Sequence, residues 1–250
     1  MRTGNHVLKR ITTFALAAGL SVGMLAGSVQ PADAATVYQM GTVTYTKDYK
    51  LDDGTTYFTV KGKFPQIKDD SEAAQKINQA LNKEKKRLIN QWEKNSAEYK
   101  TEMEEMEGIQ YGDEITCKVY SNDKKYFSVM LTGYLFTGGA HGTPYRSCLT
   151  FNSKTGEKLT AANLFNISKK QLNKKVKNLY LKKYDKQGEK AGFYPGENAK
   201  AGKKLLEDNL KSLDFNHNFY VKNGKAVFYV EPYAVGPYAA GFISVSATIK

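Results

Sequence analysis

Histidine is scarce in this chain, and the spacings typical of metal sites are absent. Of three histidines, only His141 and His217 follow the N-terminal segment, and neither forms a His-x-x-x-His pattern. Beyond residue 34 the chain also lacks a Cys-x-x-Cys pair, a Gly-x-Ser-x-Gly elbow and a phosphate-binding glycine loop. Zinc hydrolases, serine hydrolases and nucleotide-binding enzymes use these patterns. We therefore expect no catalytic residues of these classes, no metal ion and no cofactor.

Cysteine is equally rare, with only Cys117 and Cys148 in the chain. Both lie in strand-like runs, on either side of the predicted strand at residues 126–137. In an oxidising compartment the default prediction for such a pair is one disulfide. Closing a loop of this length would stabilise the fold by about 3–4 kcal/mol in the chain-entropy model. A catalytic cysteine paired with His141 is the alternative, but no third orienting group is apparent near either residue.

Long apolar runs are missing except at the N-terminus. Residues 11–29 are apolar or small and carry no charge, a short basic segment precedes them, and Ala32-Asp33-Ala34 fits the small-x-small cleavage rule. This pattern predicts a signal peptide at residues 1–34, a secreted mature chain and no stable transmembrane anchor. Retention of the run as an anchor is the alternative, since its length just suffices to span a bilayer.

Acidic residues are in the minority, because 37 Lys and Arg stand against 25 Asp and Glu. Without residues 1–34 the balance is 34 against 24, a net charge of about +10. Many lysines concentrate in residues 169–186, on a predicted helix. Outside the cytoplasm, a basic protein is attracted to anionic cell-wall polymers and lipid headgroups. Secretion argues against nucleic acid as a partner.

Apolar periodicity and capping signals predict strands, a helix, strands, helices and strands, in that order. Ile77, Leu81, Leu88 and Trp92 share one face of the first helix. Ser168 opens a later helix with a capping-box pattern, and Asn223-Gly224 marks a hairpin. This order predicts an α+β fold with antiparallel sheets and helices packed on one side. We expect two α+β halves, residues 35–140 and 141–250, joined in a single compact unit.

Two glycine-containing segments between predicted strands are the candidate contact loops. The first is Thr137-Gly138-Gly139-Ala140-His141-Gly142, and the second runs from residue 232 to 241 with Tyr233, Pro237 and Tyr238. Tyrosine on a rigid loop provides contact area at low entropic cost. The structural alternative stays open: the tyrosines plug a sheet end, and His141 is buried against backbone carbonyls.

These two segments, together with the Phe151-x-x-x-Thr155-Gly156 run that continues to Phe165, resemble a known pair of extracytoplasmic domains. They are similar to the lysozyme-binding ectodomain of the anti-sigma factor RsiV and to the non-catalytic N-terminal region of the peptidoglycan deacetylase PdaC, a family that includes a domain of unknown function. The resemblance covers about residues 40–249. It implies a binding domain whose loops at 137–143 and 232–241 contact lysozyme.

The resemblance comes with two departures. No sigma-binding domain precedes the apolar segment and no esterase domain follows residue 250, so we expect an exported binding domain alone. The leading hypothesis is a secreted, cell-wall-associated, non-catalytic domain that recognises lysozyme, another wall-active protein, or an anionic cell-wall polymer. The alternative is a peptidoglycan or polysaccharide hydrolase that uses His141 with a carboxylate, and a third possibility is a purely structural envelope protein.

Overall fold

A computed structural model describes residues 37–105 and 109–249, which all belong to one compact unit. The predicted signal peptide lies outside the described residues. Within them, no helix combines the length and the hydropathy that crossing a membrane requires.

The first half of the chain forms a five-stranded sheet with one long helix on one face. Along the sheet the strands follow their order in the chain, and all neighbours are antiparallel except the second and third, which are parallel. The parallel pair is connected through the helix, as a parallel connection requires a crossover. The elements are β1 (Met40–Lys50), β2 (Thr56–Ile67), α1 (Glu72–Glu105), β3 (Tyr111–Asn122), β4 (Tyr126–Phe136) and β5 (Thr143–Asn152).

Helix α1 packs along the sheet with the face that its apolar spacing predicts. Ile77, Leu81, Leu88 and Trp92 are all buried. The Trp92 indole N–H donates to the buried carboxylate of Asp113 on β3 at 2.7 Å, and the Tyr145 hydroxyl donates to the same oxygen at 2.8 Å. Burial raises the pKa of Asp113, and these two bonds partly offset the rise. Polar contacts therefore anchor the helix alongside its apolar packing, and Asn78 of α1 adds two hydrogen bonds to the Ile67 backbone.

The second half forms a three-stranded antiparallel sheet covered by shorter helices. Thr160 and Ser168 both make capping boxes at helix starts, and Asn223 and Gly224 take positive φ in the hairpin turn. The elements are α2 (Ala161–Phe165), α3 (Lys169–Gln187), α4 (Ala199–Asn209), β6 (Phe219–Lys222), β7 (Lys225–Val230) and β8 (Ile243–Thr248). The predicted α+β class, with helices on one side of largely antiparallel sheets, is confirmed.

The two sheets meet where the edge strand β6 lies on the face of the first sheet that α1 leaves free. The Val221 N–H donates to Ser128 Oγ at 2.9 Å, and the Ser121 hydroxyl donates to the Val221 carbonyl at 3.0 Å. Ser128 Oγ is also 2.8 Å from Thr150 Oγ1. Because an unpaired buried backbone group is costly, these hydroxyls replace the strand neighbour that β6 lacks.

The predicted disulfide is wrong. Cys117 and Cys148 are both free thiols. Their strands flank β4, so two strand spacings, about 9–10 Å, separate them, whereas a disulfide requires Cα atoms about 4.4–6.8 Å apart. Cys117 lies opposite Leu131 and Cys148 opposite Met130, and these neighbours on β4 face opposite sides of the sheet. Burial raises the pKa of Cys148 to about 12.

Pairing between β4 and β5 crosses residue 140, so the first sheet extends beyond the predicted first half. The division into halves at residues 35–140 and 141–250 stays a prediction.

We expect the unfolded, unreduced chain of residues 35–250 to titrate two thiols, because the sheet holds the two sulfur atoms on opposite faces. A thiol assay in denaturant, with and without prior reduction, measures this. Absence of titratable thiols, or a loss of about 3 kcal/mol in the free energy of unfolding on adding reductant, would contradict the strand register.

Ser128→Ala should lower the free energy of unfolding by about 1–3 kcal/mol, because it leaves the buried Val221 N–H without its acceptor. The matched control is Ser153→Ala, since the Ser153 hydroxyl is buried and has no hydrogen-bond partner within the described residues. Urea unfolding of both variants provides the comparison. Equal losses would show that the Ser128 hydroxyl does not join the sheets.

Candidate binding surface

The loop between β4 and β5 lies against the loop between β7 and β8, although about 90 residues separate them in sequence. The His141 ring stacks on the Tyr238 ring, with centroids 3.6 Å apart and planes 14° from parallel. The Tyr238 hydroxyl donates to the Gly142 carbonyl at 3.0 Å, and the Tyr233 hydroxyl is 3.4 Å from His141 Nε2. The two loops therefore form one continuous aromatic surface.

The first loop requires glycine for two reasons: a positive φ at two positions and a close backbone approach at a third. Gly138 and Gly139 have φ of 87° and 80°, in the left-handed region that favours glycine. Gly142 instead approaches the backbone closely: a Cβ there would lie 2.5 Å from the Leu135 carbonyl oxygen and 2.8 Å from the Tyr134 ring. The loop folds back tightly at Gly142, which places His141 over Tyr238.

Tyr134 belongs to the same surface, and the sequence analysis did not single it out. Its hydroxyl accepts a hydrogen bond from the Gly142 N–H at 2.8 Å, and 44% of the residue is exposed. Alternation along β4 places Tyr134 on the opposite face from Leu135, which packs toward α1. A large aromatic residue on a wet strand face, just before a glycine-rich tip, is the signal that would have identified it.

Tyr233 is the most exposed large apolar side chain of this surface, at 57%. Its φ of 68° is left-handed, which costs a residue with a Cβ about 1–2 kcal/mol. The Tyr194 hydroxyl donates to the Tyr233 carbonyl at 3.3 Å, and the Ala234 N–H donates to the Glu231 carbonyl at 3.1 Å. The fold thus holds a strained backbone that presents an aromatic ring to solvent, an arrangement found at functional sites.

The other predicted contact residues occupy the outer edge of this surface. Thr137, Gly139, Ala140 and Pro237 are exposed, and Gly138 is half-buried near Ile109. His141 is exposed, not buried as the structural alternative expects, but its Nδ1 does lie 3.1 Å from a backbone carbonyl oxygen, that of Gly142. We call the cluster of Tyr134, His141, Tyr233 and Tyr238 the aromatic surface.

Among the described residues, the hydrogen bonds within the aromatic surface join phenols, the His141 ring and the Gly142 backbone. Partial burial raises the pKa of the Tyr238 phenol, and the neighbouring Tyr134 hydroxyl adds to the rise. Burial also raises the pKa of Glu231, which is partly offset by Arg146. Within the described residues, the hydrogen-bond partners of the His141 ring are Gly142 and Tyr233, so no carboxylate is bonded to it. The described ranges also contain no group of three side chains arranged to hold a metal ion.

The buried carboxylate of Asp113 lies on the other side of the first sheet. Asp113 pairs with Leu135 and faces α1, whereas Tyr134 faces the side on which the aromatic surface is built. Asp113 and His141 therefore do not share a cleft.

Gly142→Ala should destabilise the fold by about 1–3 kcal/mol, because the added methyl group overlaps the Leu135 carbonyl and the Tyr134 ring. Gly112→Ala is the control, since its Cβ would meet the nearest atom at an ordinary 3.5 Å. Denaturant unfolding compares the two, and a cost at Gly142 no larger than at Gly112 would contradict the close packing of this loop.

Comparisons with known proteins give two family matches that together cover most of the described chain. Residues 52–143 match the model of the family described as Deacetylase PdaC, and residues 156–249 match that of DUF3298, a protein family of unknown function. No curated protein matches the chain.

Two solved structures with a similar fold are of DUF3298 family proteins. One, from Bacteroides fragilis, has a TM-score of 0.54 at 16% identity and covers 86% of this chain and 92% of its own. Another, from Pseudomonas aeruginosa, has a TM-score of 0.52 at 13% identity and covers 87% of this chain and 91% of its own. The predicted resemblance is confirmed: the chain is similar to the PdaC deacetylase-associated domain in its first half and to DUF3298 in its second.

Proposed function

We propose that this chain is a non-catalytic binding domain of the bacterial cell envelope. The aromatic surface, with the loops at residues 137–143 and 232–241, binds a wall-active protein, and lysozyme is the first candidate. The observation that carries this proposal is the stack of His141 on Tyr238 at 3.6 Å beside the exposed Tyr233 ring.

The chemistry of the aromatic surface suits a protein partner. Tyrosine is enriched at interface hot spots because it buries a large area and also carries a polar hydroxyl. The Tyr238 ring is already fixed by its stack and by its hydrogen bond to Gly142, so binding orders it at little entropic cost. The match to the PdaC family supports a cell-wall context outside the cytoplasm.

Lysozyme is proposed because of the resemblance to the RsiV ectodomain. The charges of the two proteins predict how the rate of association depends on salt. The chain without its predicted signal peptide carries about +10, and animal lysozymes are themselves basic. Long-range repulsion should slow association at low salt, while short-range contacts in the cleft stabilise the complex. Association should therefore become faster as salt rises toward physiological ionic strength.

The competing hydrolase hypothesis requires a carboxylate in reach of His141. Glu231 is the acid nearest in sequence to the second loop. Burial raises the pKa of Glu231, and Arg146 partly offsets the rise. The phenol of Tyr233 occupies the neighbourhood of His141 Nε2 instead. This arrangement favours recognition over acid–base catalysis.

The test is binding of residues 35–250 to a basic animal-type lysozyme, with lysozyme activity measured in parallel. We expect binding with inhibition, and a loss of affinity of about 10-fold or more for Tyr238→Ala and for Tyr233→Ala. Leu205→Ala is the control, because Leu205 is an apolar residue of α4 that is 40% exposed, and it should change affinity less than 2-fold.

Three results would contradict the proposal. Failure of the folded wild-type protein to bind lysozyme would remove lysozyme as the partner, and equal affinity losses in the tyrosine variants and Leu205→Ala would remove the aromatic surface as the site. Hydrolysis of peptidoglycan that His141→Ala abolishes, in a variant with unchanged unfolding, would replace the binding function by the hydrolase.

A further inference from the structure

A concave surface lies between α3 and the end of α4, apart from the aromatic surface. It is a groove of about 700 Å³, lined by ten residues. We call it the lysine groove, and its lining includes Lys170, Lys174, Lys177, Leu181, Glu207 and Leu210.

The positive charge of the groove comes from one face of α3. Lys170, Lys174 and Lys177 follow one another at helical spacing, so their Cβ atoms lie about 5–6 Å apart along the wall. Helix α3 as a whole carries eight lysines and one acidic residue, Asp185. Such a density of like charge is unfavourable in the free protein, and an anion in the groove would relieve it.

Some lysines of the groove are paired with a carboxylate, and others are free to contact an anionic ligand. Lys169 pairs with Asp214 at 2.7 Å, and Lys211 pairs with Asp208 at 2.6 Å. The Lys177 ammonium donates to the Lys211 carbonyl at 3.5 Å. Within the described residues, Lys170 and Lys174 have no carboxylate partner, and Glu207 is the one acid in the lining. The free charges thus stand in a row along α3.

The floor of the groove is apolar, which favours a ligand that carries carbon segments as well as anionic groups. Leu210 is buried and Leu181 is half-buried at its base. A chain that alternates anionic groups with short carbon segments would place its charges against the lysine row and its carbon atoms against the leucines. No aromatic residue lines the groove, so nucleobases would find no stacking partner there. A flat membrane surface would not enter it.

We propose that the lysine groove binds an extended phosphodiester polymer, with Lys170, Lys174 and Lys177 as its charge contacts. Lysine binds phosphate as a compact point charge, and a row of three suits repeating phosphates. This site is independent of the aromatic surface. It would hold the protein at a phosphate-bearing cell wall while the aromatic surface contacts its partner.

The test uses residues 35–250 and poly(glycerol phosphate) as the probe, with titration calorimetry at two salt concentrations. Lys170→Gln/Lys174→Gln/Lys177→Gln should weaken binding at least 10-fold. The slope of log affinity against log salt should become shallower by about 2, because three charge contacts are lost. The matched control is Lys83→Gln/Lys86→Gln/Lys94→Gln on α1, which removes the same charge from exposed positions and should change affinity less than 2-fold.

Titrations with other phosphate-containing ligands test whether the groove prefers the extended polymer. Inorganic phosphate, phosphatidylglycerol vesicles and single-stranded DNA are titrated against the same three proteins. The proposal is supported if the groove variant alone loses polymer binding. The wild type should also bind phosphate, vesicles and DNA more weakly than it binds the polymer. Equal loss in both triple variants, no polymer binding by the wild type, or tighter groove-dependent binding of vesicles or DNA overturns it. Unchanged lysozyme binding by the groove variant would confirm that the two sites are independent.

Discussion

Two hydrogen bonds to one residue, Val221, connect the two sheets. Its N–H and its carbonyl point away from the hairpin of β6 and β7, at a sheet edge that is buried against the first sheet. Ser128 and Ser121 satisfy these groups with side-chain hydroxyls, so the edge strand docks onto a sheet face without joining it. Since buried backbone groups must be paired, this contact favours one position of the second sheet along the first, and the ring contacts of Tyr120 with Tyr220 and of Arg146 with Phe242 join the same interface.

The aromatic surface depends on that docking. The first loop follows β4, the strand that carries Ser128, and the second loop follows β7, the partner of β6. The Val221–Ser128 bond holds β6 against β4. The loops that follow β4 and β7 meet at the end of this interface, where His141 and Tyr238 stack at 3.6 Å. The hydrogen bonds of Gly142 to Tyr134 and Tyr238 then fix the contact locally. The proposed recognition by two distant segments therefore requires an intact interface between the sheets.

Features encoded by neighbouring residues could be predicted from the sequence, and features that depend on strand order could not. The Ser168 capping box, the Asn223-Gly224 turn and the buried face of α1 are local patterns, and each occurs in the structure. The disulfide was wrong because the pairing of Cys117 and Cys148 depends on which strand separates them and on which face each occupies. Both facts come from the register of β4 with its two neighbours.

The candidate site was predictable only in part for the same reason. Glycines around one histidine and a Pro- and Gly-broken segment with two tyrosines marked the two loops as unusual. Their contact across about 90 residues is a tertiary property without a local signal. Tyr134 was missed because a tyrosine at a strand end is common, and its role is visible only through the Gly142 N–H that it binds. The strained backbone of Tyr233 is likewise imposed by neighbours such as Tyr194.

The central claim is that the two loops act as one binding surface, and amide hydrogen exchange tests it most directly. Exchange is measured on residues 35–250 with and without saturating lysozyme. The account predicts slower exchange in both segments, 137–143 and 232–241, with no comparable change in α4. Slower exchange in only one of the two loops, or in neither, would contradict it.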